Sequence, residues 1–514
     1  MKRFFCEADA PLVRTEKGTV RGYYYDGNYI FKGIPYARAK RFHAPEAVPA
    51  WEGTLDATNY GYVSPLLHYE KPSAELFFTH RYWVEGEDCQ NLNIWTTDLT
   101  PASLKPVFVW IHGGGFSDGS SIEGECYDGS SLTKSADCVF VSVNHRLNVF
   151  GYLDFSDYGE EYENSGNNGM LDLIAALKWV EENIAAFGGD PSCVTICGQS
   201  GGGGKVTTLL QMPQADGLYH RAMILSGEVA THDAEVLGSA KDCVEAMMEV
   251  LHLQDVHEME TVPFRLVADA YNRVMPSIAA QKKNIGCMPI RNAFFAGNPL
   301  RVGWRKETIH IPLIIGACFS EFLSFDGRGI NKKSLSREEG RHIIEETAGK
   351  EAAKELYTAF EKAYPERNPV DILFADWLFR APTSEHAKLR ASQGGTVFSY
   401  QFVADFPFEG GRGAWHGADL PFLMHNAERF PLINIPKADE MQNRISSALS
   451  AFMRTGNPNC EAIPVWDAVT EDTEPVLLID QEFRVVPDYD KEFLPLQKKY
   501  AGKLGTGAIV HDFE

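Results

Sequence analysis

Gly198-Gln199-Ser200-Gly201-Gly202 constrains this chain more than any other stretch. Just before it runs Cys193-Val194-Thr195-Ile196-Cys197, a short apolar, β-branched segment that reads as a buried strand. Just after it, Lys205 to Leu210 can continue as a helix. A Ser between glycines at a strand-to-helix turn is the nucleophile-elbow pattern. The turn is sharp, so the Ser backbone is strained and its neighbours must be small. The hydroxyl is pushed clear of the sheet, and the helix N-terminus beneath it favours negative charge. A bare match to this pattern also describes an ordinary glycine-rich turn. The rest of the chain must supply a base, an orienting acid and donors for an oxyanion.

The bulk composition excludes several classes. With 44% hydrophobic and 12% aromatic residues in 514, the chain can bury a large core. Its net charge of −22 argues against nucleic acid or an anionic membrane as partner. Met1-Lys2-Arg3-Phe4-Phe5-Cys6-Glu7 starts basic but has no apolar core, so no signal peptide is expected. No run of roughly 18 apolar residues predicts a membrane span. The ten cysteines fit no metal-ligand spacing and read as free thiols in a reducing cytoplasm. No metal and no cofactor is expected.

Along the chain, residues 11 to 60 read as β-rich opening structure. Residues 61 to 88, with Tyr69, Phe77, Phe78, Tyr82 and Trp83, read as a loop that covers a pocket. Residues 87–95 read as a strand, 106–111 as a near-continuous apolar strand and 138–144 as a third, and such runs suit a parallel sheet covered on both faces. Leu173, Leu177, Val180, Ile184 and Phe187 form one helical stripe, with Asn168 as cap and Asp172 in the first turn. Gly188-Gly189-Asp190-Pro191 ends it. Residues 222–226, 311–316 and 396–402 are further strands, and Met441, Ile445, Ala448 and Phe452 mark a late helix. Residues 231–300 and 330–370 read as helical insertions. Strands alternating with helices predict an α/β fold with a large, mostly parallel sheet, here in one domain spanning 1–514.

The oxyanion donors are the easiest partners to find. His112-Gly113-Gly114-Gly115 follows an apolar strand, and consecutive glycines let backbone N–H groups approach an anion. Gly114, Gly115 and Gly201 would supply three donors. The base should come late in the chain. His416, in a loop flanked by small residues, is the candidate among 15 His. The acid should fall between Ser200 and His416. Glu321 comes just after the strand at 311–316, where open α/β sheets place ligands. Asp405 follows the next strand and is a rival on these grounds.

Taken together, these segments resemble the type-B carboxylesterases, the cholinesterase and para-nitrobenzyl esterase branch of the α/β-hydrolases. The resemblance runs nearly end to end. It includes residues 33–37, 87–94, 112–116, 144–147, 189–191, the elbow, 225–227, 316–321, 416–417 and 455–459. It implies Glu321 rather than Asp405 as the acid, His416 as the base, and Ser226 as a supporting group near the triad. Two departures stand at the elbow, where relatives usually read Gly-Glu-Ser-Ala-Gly. Gln199 removes a carboxylate that cholinesterase-like members keep, which disfavours a choline ester. Gly201 in place of Ala would loosen the turn. Cys89 matches a family disulfide position, yet residues 61–88 hold no partner, as expected of an intracellular microbial enzyme.

The reading is therefore a serine carboxylic-ester hydrolase working through an acyl-enzyme on small to medium hydrophobic or aryl esters. An interfacial lipase and a catalytically inactive binding relative are the alternatives from other classes. The charged residues at Glu70, Lys71, Glu75, His80 and Arg81 weaken the lipase reading. The intact Ser, Glu, His and glycine set weakens the inactive one.

Overall fold

The computed structural model describes residues 3–67, 80–228, 238–325 and 328–506. Much of the expected pocket-covering loop therefore lies outside the described residues, as do residues 231–237 of the first insertion. The chain forms two compact units, one of residues 1–223 and 233–311, the other of 224–232 and 312–514.

The first unit is built on a mixed sheet. Lys105–Ile111 lies between Val139–Val143 and Gly189–Gln199, and both pairings are parallel. Lys105–Ile111, Val139–Val143 and the second half of Gly189–Gln199 are buried almost throughout, which is why their middles read as apolar runs. Asn91–Thr96 is a strand as expected, but it pairs antiparallel with Val139–Val143. Asn28–Pro35 and Tyr23–Tyr25 continue the antiparallel part. The sheet is thus mixed, with its parallel portion where the site residues are carried.

Register does the positioning. Ile111 stands opposite Gly198, so the glycine loop and the elbow leave the C-terminal ends of adjacent parallel strands side by side. The predicted stripe forms helix Asn168–Asn183, continued by a short tighter turn over Ile184–Phe187 and stopped at Gly188 with φ 81°. Two details of that helix differ from expectation. Asn167, not Asn168, is the cap residue, and it makes no side-chain cap. Asp172 does not serve the helix dipole; its carboxylate is buried against Arg146, with Nη2 at 2.7 Å and Nε at 2.8 Å. An unpaired charge there would be costly, and sequence spacing gives no hint of so distant a partner. The first insertion carries helices Lys241–Leu251 and Phe264–Ala280, packed with Phe150, Leu153 and Phe155 in one apolar cluster.

The second unit has Leu313–Cys318, Val397–Phe402 and Pro475–Ile479 in parallel, with Arg484–Pro487 antiparallel at the edge. Helices Arg337–Ala348 and Lys350–Ala363 form the second insertion. The late helix spans Ala438–Thr455 and ends at Gly456 with φ 78°. Leu313↔Val397 to Cys318↔Phe402 register brings the loops after both strands out at one end. All ten cysteines are free thiols, Cys89 among them. Among the described residues no helix is long and apolar enough to cross a membrane.

Candidate active site

In the first unit, Ser200 sits between strand Gly189–Gln199 and helix Gly201–Leu210 with φ 57° and ψ −133°. A non-glycine residue in this conformation is strained, and such strain concentrates at functional positions. The Ser200 side chain caps nothing in the helix it precedes. Its hydroxyl is therefore not spent on the backbone N–H groups that open that helix.

The glycines around it are demanded by packing. A Cβ on Gly201 would lie 2.1 Å from the Gly115 carbonyl oxygen. A Cβ on Gly202 would lie 2.2 Å from the Ile111 oxygen. Gly201 therefore does not loosen the turn, as the bare sequence suggests. The glycine loop fills the space that a methyl group would take. That loop turns tightly, with Gly114 at φ 82° and Gly115 at φ 60°, and Asp118 N–H closes it onto Gly114 O at 2.8 Å. Gln199, the residue before Ser200, is buried, with its side-chain oxygen close to Gly113.

Beneath the loop lie groups that sequence reasoning passed over. Lys205, fully buried, donates from Nζ to the His112 carbonyl at 3.1 Å. The rings of His112 and His145 sit 4.8 Å apart. Burial, and then the nearby Lys205 charge, hold both imidazoles well below the usual histidine range, so they stay neutral. The one signal in the sequence was a lone lysine inside an otherwise apolar helix start.

In the second unit, Glu321 follows strand Leu313–Cys318 and is completely buried, at φ 45°. Its Oε2 meets His416 Nδ1 in a short hydrogen bond. Its Oε1 accepts from Ser226 Oγ at 2.7 Å and from the Cys318 N–H at 2.6 Å. The two loops are joined by backbone as well, since Ser320 and Glu321 N–H both bond to Ala414 O. The His416 ring stacks on Phe322 at 4.3 Å and leans on Phe379 at 5.0 Å, so its plane is fixed. Asp405 lies elsewhere, paired with Arg367 at 3.0 Å and Lys332 at 3.6 Å.

Two further buried carboxyls feel the Glu321 charge. Burial, then the Glu321 charge, raise Asp376 well above the usual carboxylate range. Its oxygens accept the backbone N–H groups of Leu378, Phe379 and Arg380. Burial also pushes Asp419 up to about 6, with the Glu321 charge adding to it and the Tyr400 hydroxyl opposing. Asp419 stands three residues after His416, a spacing that gave no clue to its role. Among the described residues no group of three or more His, Cys, Asp or Glu is arranged to hold a metal ion.

The comparisons with known proteins agree along nearly the whole chain. The Carboxylesterase family pattern matches residues 9–495. This chain belongs to the carboxylesterase family. It is 33% identical to the para-nitrobenzyl esterase of Bacillus subtilis (strain 168) over 94% of this chain and 97% of that one. A solved esterase from the anaerobe Clostridium hathewayi, described as able to hydrolyse aliphatic aromatic polyesters, superposes with a TM-score of 0.94 at 45% identity. The match covers 97% of this chain and 100% of that one. A thermophilic para-nitrobenzyl esterase superposes with a TM-score of 0.75 at 31% identity, covering 94% and 99%. This carboxylesterase thus has the α/β-hydrolase fold of its structural neighbours and is an ester hydrolase.

Proposed function

We propose that the carboxylesterase works through a Ser200, Glu321, His416 triad. The observation that carries this reading is the short contact between His416 Nδ1 and Glu321 Oε2. It fixes the imidazole tautomer, so Nε2 is the nitrogen left to exchange a proton. Ser200 Oγ attacks the ester carbonyl as His416 Nε2 takes its proton. The oxyanion accepts hydrogen bonds from the N–H groups of Gly114, Gly115 and Gly201. His416 returns the proton to the departing alcohol, leaving an acyl-enzyme on Ser200. Water, deprotonated by His416, then releases the acid and restores the serine.

Hydrophobic or aryl esters are the proposed substrates. The aromatic flank of His416, formed by Phe322 and Phe379, supports them, as do relatives named for para-nitrobenzyl ester and polyester hydrolysis. Free cysteines and bacterial relatives support a reducing bacterial cytoplasm as its compartment. A series of para-nitrophenyl acetate, butyrate and octanoate tests the assignment. Turnover that rises with acyl length to a maximum is expected. The same rates as buffer on all three would overturn it.

A further inference from the structure

The helix that opens at the nucleophile and the loop that follows His112 must keep a fixed spacing if they are to bind one oxyanion together. Gly201 donates from the helix; Gly114 and Gly115 donate from the loop. This inference rests on that oxyanion reading. Two contacts already press these segments together, the bare Cα of Gly201 against Gly115 and that of Gly202 against the Ile111 and His112 carbonyls. Both are steric and limit only how near the segments come. A third contact can hold them against moving apart. Lys205 lies on the same helix, one turn beyond Gly201, and its Nζ bonds the carbonyl of His112, the residue before the glycines.

We propose that Lys205 is a positioning residue for the oxyanion-binding backbone, tying the nucleophile helix to the root of the glycine loop. Three observations support this over a plain structural lysine. The side chain is 0% exposed, so its amine is carried inside at a desolvation cost that an apolar residue would avoid. Its bond goes to a loop carbonyl, and among the described residues no carboxylate lies within salt-bridge distance of it. Its surroundings hold it in balance. Burial lowers Lys205 to about 7 while the charges of Glu123 and Asp118 oppose that fall. Glu123 is itself pushed up to about 7, by burial and then by Asp118. His112 and His145 also feel its charge, and the Phe116 ring lies 5.8 Å from Nζ.

The test compares wild type with Lys205→Met, which keeps the stem and removes donor and charge. Three quantities are read: kcat and KM on para-nitrophenyl butyrate, the inhibition constant of an alkyl trifluoromethyl ketone, and Tm. The ketone forms a tetrahedral adduct whose oxygen uses the same donors. The expected result is kcat lower by about ten- to a hundredfold with KM within about twofold. The inhibition constant should rise by the same factor as kcat/KM falls, and Tm should not drop. Unchanged kcat overturns the proposal. So does a joint loss of Tm, KM and kcat that the ketone does not track, since that is a lysine serving the fold alone. If Lys205→Met does not fold, Lys205→Gln, too short to reach the carbonyl, is read the same way. Failure of the underlying reading shows separately, as turnover retained in Ser200→Ala.

Discussion

Ser226 Oγ donates to Glu321 Oε1 at 2.7 Å, on the carboxylate oxygen that His416 does not use. Each oxygen of the buried acid thus has its own partner, and the Cys318 N–H shares the first. Both Ser226 and Glu321 hold positive φ, at 45° each, so backbone strain is spent on bringing them together. Ser226→Ala removes one of three bonds to a charged group. It should lower kcat by about tenfold or less with KM unchanged, because the backbone N–H remains. Steady-state kinetics on para-nitrophenyl butyrate decide this. An effect as large as losing Glu321 itself would show that Ser226 does more than orient.

Glu321 and Asp405 each follow an apolar strand, and only one touches a histidine. Glu321→Gln leaves the shape but takes away the charge that selects the His416 tautomer. It should lower kcat by about 10³ to 10⁴. Asp405→Asn, on a carboxylate paired with Arg367 and Lys332, should keep kcat within about twofold. The reverse pattern would contradict the assignment.

Gly201→Ala introduces the residue that relatives usually carry, yet its Cβ would meet the Gly115 oxygen at 2.1 Å. The loop must move, and its donors with it. A fall in kcat of about 10²-fold is expected. Wild-type kcat in this variant would mean the loop moves without cost.

Asp419 gives a prediction in pH. Its folded value, about 6, lies above the ordinary 3.8, so the native state holds this proton more tightly than the unfolded chain does. Its contribution is complete below about pH 4, falls away as pH rises towards 6, and is a full cost above that. Asp419→Asn removes the cost and can still accept the Tyr400 hydroxyl. Relative to wild type, the variant should gain stability between pH 4 and pH 7, by about 3 kcal/mol at most. Denaturation at pH 5 and pH 8 checks it. A difference between the two proteins that does not change with pH would refute it.

The parallel core was readable because a strand covered on both faces has no polar side, and residues 106–111, 139–143 and 193–197 show none. The antiparallel pairing of Asn91–Thr96 was not, since strand direction leaves no mark on so short a segment. The elbow and the glycine loop were legible as local patterns, while His416 stood out among the histidines only through the resemblance. The choice of Glu321 over Asp405 was not legible from local chemistry and came from resemblance. The partners of buried charges were hidden altogether. Arg146 with Asp172, and Lys205 with the His112 carbonyl, are long-range contacts that periodicity cannot encode. The reading of a loosened turn at Gly201 failed because a missing side chain was taken for empty space.

The measurement that bears most directly on the central claim is the mass of the enzyme quenched during turnover of para-nitrophenyl butyrate, for wild type and Ser200→Ala. The account predicts wild-type enzyme carrying one butyryl group on the peptide that contains Ser200, and no adduct and no turnover in the variant. Turnover by Ser200→Ala, or an acyl group on any other residue, would contradict it.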